Sequence, residues 1–191
     1  MEVKQHQERK SRNDVYTKDV YTKSVLTKKI SLNINQIGKN IKSNLEKSIS
    51  KIIQGKCSPE GFIKPNSVRV TSYSSGVVEN EKIIFDTVYE CMVCHPVEGM
   101  IMECTSKTIT KAGIHGQVID NDGTSPIHVF IARDHFHSEK QFNEIDENQK
   151  ILICVIGTRF ELNDPYIVCM GELVNEKNRK NICVIKNIFL F

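Results

Sequence analysis

The stretch Pro96 to Arg133, PVEGMIMECTSKTITKAGIHGQVIDNDGTSPIHVFIAR, limits what this chain can fold into more than any other. Apolar and polar residues alternate through 100–107 and 114–119, and Ile127, Val129 and Ile131 repeat the pattern. Turn signals stand between them at Lys111-Ala112-Gly113 and Asn121-Asp122-Gly123. This predicts three short consecutive strands, half of a small barrel. Residues 151–162 and 166–173 supply two more, so that five strands are available, the number in an OB-fold, a Greek-key barrel whose second and third strands often carry oligonucleotides.

Residues upstream form a separate pattern. The polar, charged residues 1–14 lack periodicity and read as a disordered tail. Residues 15–34 mix β-branched and aromatic residues with Thr and Lys, as a solvent-facing strand does. Asn35 is placed to cap a helix whose stripe is Ile37, Ile41, Leu45, Ile49, Ile52 and Ile53. In that helix Lys39, Lys42, Lys47 and Lys51 face water, and the stop is near Gly55. Short strands follow over 56–63, broken by Pro59 and Gly61, then over 68–73 and 82–94. One helix with four or five strands makes a small α+β layer. The expected class is therefore α+β: a tip domain over 15–95, a five-stranded barrel over 97–176, and a terminal strand or docking tail over 177–191. The end of that tail, 182–191 (ICVIKNIFLF), is too apolar to be left in water without a partner.

Charge separates the same two parts. Residues 1–96 carry 16 basic and 10 acidic side chains, whereas 97–176 carry 6 and 13. A barrel this acidic is not built to grip phosphate all round, because non-specific nucleic-acid binding draws on local positive charge. Within it, residues 99–133 hold three of each sign, so any RNA contact belongs to that half. No apolar run reaches the ~20 residues of a membrane span, and the polar N-terminus does not read as a secretory signal. An intracellular protein is expected, with its 7 cysteines as small core hydrophobes.

Few residues invite chemistry. Cys91-x-x-Cys94-His95 matches half of a zinc site and a haem-attachment pattern, which keeps a metal-binding or redox protein in view. Yet residues three apart on a strand point to opposite faces, and no second ligand pair completes a tetrahedral set. Asp134-His135-Phe136-His137 reads as a polar loop, since no nucleophile motif, HExxH or phosphate-cradling loop accompanies it. No catalytic residue, metal or cofactor is expected. By contrast, His115, His128 and Phe130 fall on the outward parity of the second and third barrel strands. That arrangement suits base stacking, and equally a face packed on the neighbouring domain.

Several motifs taken in order then carry a resemblance: Gly55-Lys56-Cys57 with Gly61-Phe62-Ile63, Ser75-Gly76 before an extended strand, and Val88-Tyr89-Glu90-Cys91 leading to Pro96 and Gly99. Lys111-Ala112-Gly113, Phe130-Ile131-Ala132-Arg133 and Val155-Ile156-Gly157-Thr158-Arg159 with Asn163-Asp164 continue it. Over roughly residues 31–173 the chain resembles the stalk subunit of multisubunit RNA polymerases, which is the seventh-largest subunit of eukaryotic RNA polymerase II and has an archaeal counterpart. His95 stands where that family has an arginine.

The resemblance implies a non-catalytic subunit of DNA-directed RNA polymerase, active in the nucleus, or in cytoplasm or virion if virus-encoded. Its expected partners are the large core subunits, a smaller helical stalk subunit and single-stranded nascent RNA, with no membrane. Loops at Gly55, Gly61 and Gly76, one stiffened by Pro59, are expected to enter the core. Lys107, Lys111, His115, His128, Phe130 and Arg133 are expected to meet RNA. A free-standing OB-fold RNA-binding protein of translation or RNA decay remains the alternative.

Overall fold

The computed structural model describes residues 19–133 and 142–174. The expected tail 1–14, the Asp134–His137 cluster and the apolar ending 182–191 lie outside the described residues. Among the described residues no helix is long and apolar enough to cross a membrane.

One strand is the spine of the first half. β6 (Lys82–Cys94) pairs antiparallel along its whole length with β1 (Tyr21–Asn33), from Tyr21 opposite Cys94 to Asn33 opposite Lys82. Its other edge is tiled by three short strands, β3 (Gly61–Ile63), β4 (Arg69–Tyr73) and β5 (Val77–Glu79), while β2 (Cys57–Ser58) closes on β3. The alternation of β6 explains its two faces. Phe85, Tyr89, Cys91 and Val93 are buried on one side and pack with Leu45, Ile49 and Ile53 of helix α1 (Ile41–Ile53).

Three details differ from the sequence reading. The helix begins at Ile41 after Asn40, not at a cap on Asn35, because Ile34–Gln36 forms a separate 3-10 turn and Gly38 interrupts the run. Ile52 belongs to the expected apolar stripe but is 47% exposed, lying off the line of Leu45, Ile49 and Ile53 that faces the sheet. The short strand β5 is an addition to the expected elements; three residues bounded by Gly76 and Asn80 give too little alternation to read.

The second half is a closed barrel. Its strands β7 (Ile101–Ile109), β8 (Gly113–Val118), β9 (Ile127–Ala132), β10 (Lys150–Arg159) and β11 (Ile167–Leu173) are ordered β10-β11-β9-β8-β7, and β10 pairs back to β7. Pairing of β11 with β9 is parallel and all other pairs are antiparallel, which gives an OB-like Greek key. Met102, Cys104, Ile114, Val129, Ile131, Ile153, Val155 and Cys169 fill the interior.

Sheet and barrel share apolar surface. Tyr21, Cys57, Phe62 and Cys94 of the sheet lie in the same buried cluster as the barrel interior. The N–H of Cys57 donates to the Asp164 carbonyl at 2.8 Å, and the N–H of Asn163 donates to the Cys57 carbonyl at 2.8 Å. His95 sets Nδ1 3.0 Å from the Glu60 carbonyl and meets the Phe160 ring edge-on at 5.9 Å. A polar knot completes the junction. Tyr21 donates its hydroxyl to Asp120 Oδ2 at 3.2 Å, and Lys64 Nζ lies 2.7 Å from Asp122 and 3.7 Å from Asp120. Burial first, and then the Asp120 charge, push the Tyr21 phenol well above its ordinary range.

Candidate nucleic-acid interface

The outward parity of the second and third barrel strands is present in the fold: Ile114, Gly116, Val118, Ile127, Val129 and Ile131 are buried, while His115, Gln117, His128 and Phe130 are not. Strand register turns these into two rows across the barrel. One runs Thr108, His115, Phe130, Met170, Gly157, and the other Thr105, Gln117, His128, Val168, Arg159.

Each row carries a ring pair. His115 and Phe130 are cross-strand partners whose ring centroids lie 4.8 Å apart with a 44° tilt. The Phe130 ring passes over Gly113, where a Cβ would collide with it and with the Ile131 carbonyl, so a residue without a side chain is needed at that position. His128 stacks on Tyr166 at 3.7 Å and 17°, and its Nε2 is 3.2 Å from the Gln117 side-chain amide. Burial lowers the His128 pKa below 6.5, so at neutral pH it is an uncharged stacking platform and hydrogen-bond partner.

The expected cations are less unified. Lys107 is the extra residue at the β7 bulge beside His115, with Nζ 3.5 Å from Asn148 Oδ1. Lys111 sits exposed in the β7–β8 turn, and Arg133 is held at the same end by its N–H to the Ala112 carbonyl at 3.0 Å. The Arg133 guanidinium lies over the buried Phe142 ring at 4.5 Å, so much of its side chain serves packing. Rings thus dominate the face. Sequence reasoning misses Tyr166 and Met170 because their roles arise from register between distant strands, and it passes over Gln117 although that residue shares the outward parity of His115. Of the first two, only the aromatic beside β11 offers a signal.

The residues expected to enter a polymerase core do not gather. Gly55 (φ +68) follows the helix and donates its N–H to the Ile63 carbonyl, Pro59 is exposed in the β2–β3 turn, and both lie beside the barrel junction. Gly61 opens β3 directly after the turn at 59–60, at the break between β2 and β3, with φ +128; it is buried there, and a Cβ would strike the Cys94 carbonyl. Gly76 lies against Ile83 and Phe85, towards the other end of β6. Nine residues separate Phe85 from Cys94, about 30 Å of strand. Exposed Val77, Val78 and Ile34 stand at the Gly76 end.

The cysteine pattern resolves on one strand. Cys91 lies in the helix–sheet core and Cys94 in the barrel-side core, so the pair cannot share an ion in this fold.

No family model matches the sequence. The chain is similar to DNA-directed RNA polymerase II subunit RPB7 of Glycine max, 20% identical over 163 residues and covering 77% of this chain and 88% of that protein. A putative DNA-directed RNA polymerase subunit of Acanthamoeba polyphaga mimivirus is 23% identical over 77% of this chain and 78% of its own length. DNA-directed RNA polymerase II subunit 7 of Arabidopsis thaliana is 20% identical over 73% and 84%. These relatives support the resemblance to the stalk-subunit family.

Proposed function

We propose that this chain, a relative of the RNA polymerase stalk subunits, is itself a non-catalytic stalk subunit of a DNA-directed RNA polymerase. In this reading the sheet-and-helix half docks on the polymerase core and the barrel meets emerging RNA. One observation carries it: a chain similar over about three quarters of its length to polymerase subunits presents two ring pairs, His115–Phe130 and His128–Tyr166, on the outer face of an OB-like barrel. Aromatic rings bind unpaired bases without reading sequence, at ~1–3 kcal/mol per base.

Core docking falls to the Gly76 end. Val77 and Val78 are 67% and 72% exposed and Ile34 is 68% exposed, an apolar group that water does not favour. Gly55 and Pro59 lie beside the barrel and suit the second, smaller stalk subunit. The test is Val78→Glu in the tagged chain. Loss of the large polymerase subunits from the purified material, with RNA binding retained, supports the assignment. Recovery equal to wild type overturns it.

A further inference from the structure

Five exposed lysines surround α1. Lys47 and Lys51 stand four apart on its outward side, Lys39 precedes the helix, Lys42 lies in its first turn, and Lys56 follows its last. Among the described residues none of the five is in an ion pair. Glu46, the helix's one acid, is turned inward and accepts the Val70 N–H at 2.9 Å. Of these lysines only Lys51, in the last turn, is favoured by the helix macrodipole. Like charges at i, i+4 destabilise a helix, and a cation in a first turn that has no acid opposes the macrodipole.

We propose that this lysine track holds the phosphate backbone of the same single-stranded RNA whose bases stack on the barrel. The inference rests on the RNA contact proposed above. Three observations favour RNA over an acidic protein. The barrel face has rings but few uncommitted cations, and the helix has cations but no aromatic side chain, so each supplies what the other lacks for single-strand binding. Lysines are point charges suited to sequence-independent phosphate contacts. The C-terminal end of the track also lies close to the barrel. Lys56 adjoins Cys57, which is hydrogen-bonded to Asn163 and Asp164, two residues from the stacked Tyr166. That path is at most about 17 Å between Cα atoms, within the reach of a strand occupying the 4–16 nucleotides typical of an OB-fold site.

The test is fluorescence anisotropy of the full chain on labelled oligouridylates of about 6 and about 14 nucleotides, lengths spanning the usual OB-fold site, across a salt series. The variants are K42Q/K47Q/K51Q and F130A. The lysine variant should leave the 6-mer within about twofold of wild type. On the 14-mer it should reduce the slope of log Kd against log salt by about 2, at ~0.7 per single-strand phosphate. An unchanged slope on the 14-mer overturns the track. If F130A weakens the 6-mer while that slope is unchanged, only the track fails. If F130A has no effect on the 6-mer, the stacking part of the proposed function fails separately. No binding of either RNA overturns both. A lysine variant that keeps its RNA slope but loses the large polymerase subunits shows a protein-docking face, and also overturns the track.

Discussion

Cys91 and Cys94, three residues apart on β6, belong to two different hydrophobic cores: one thiol faces α1 and the other faces the barrel. Burial pushes the Cys91 thiol up to about 11 and Cys94 up to about 12, and Cys57, Cys104 and Cys169 are raised by burial to about 11, 12 and 12. Half-buried Cys154 is the accessible thiol among the described residues. Brief alkylation of the native chain at pH 8, followed by peptide mass spectrometry, should label Cys154 at least tenfold faster than Cys91 or Cys94. Equal labelling would show that the two cores open.

The knot at the junction distinguishes two neighbouring aspartates. Asp120 is nearly buried, lies 3.7 Å from Lys64 and accepts from the Tyr21 hydroxyl and from the N–H groups of Asp122 and Thr124, whereas Asp122 is largely exposed and pairs with Lys64 at 2.7 Å. Asp120→Ala strands a buried phenol and unties the loop, and should cost ~2–4 kcal/mol. Asp122→Ala removes a solvent-screened pair and should cost less than ~1 kcal/mol. Denaturant unfolding followed at both halves would reveal equal costs if the knot were incidental.

How much of the fold is legible in sequence depends on the source of each feature. The bounds of β6 and the inward–outward parity of β8 and β9 are readable because alternation is written in the chain itself. The helix stripe is also readable. Its start is not, because Asn35 and Asn40 look alike as caps by composition, and it is a local 3-10 turn over Ile34–Gln36, followed by Gly38, that moves the start to Ile41. Gly61 reads as a strand break and is one, but the close approach to the Cys94 carbonyl, which demands a glycine there as well, leaves no mark in the sequence. Tyr166 is visible only as an aromatic beside a strand, and its role is not. Its partner His128 is brought to it by a parallel pairing across 38 positions.

His128 gives a pH dependence with a definite sign. Its folded pKa is lowered from 6.5 by burial, so the native state binds fewer protons than the unfolded chain between the two values. Its contribution to stability is therefore fully present above pH 6.5 and is lost as pH falls through the lower folded value. The Tm should decline on acidification below 6.5, and His128→Gln should flatten that decline. An identical profile in the variant would assign the dependence to other groups.

On the barrel, rings should matter more than cations. Phe130→Ala removes the partner of His115, whereas Lys111→Ala removes one exposed charge. Stacking loss is ~1–3 kcal/mol per base, while a phosphate contact is eroded by salt. At roughly physiological ionic strength, taken as 0.15 M, Phe130→Ala should weaken a short single-stranded RNA about tenfold or more, and Lys111→Ala less than about threefold. Equal losses would make the contact electrostatic.

Membership of a polymerase is tested most directly by affinity purification of the tagged full-length chain from its native source. The two large polymerase subunits should be recovered in near-stoichiometric amounts, together with a smaller helical partner, and should survive nuclease treatment. Recovery of the chain alone, or with translation or RNA-decay factors and without the large subunits, would contradict it.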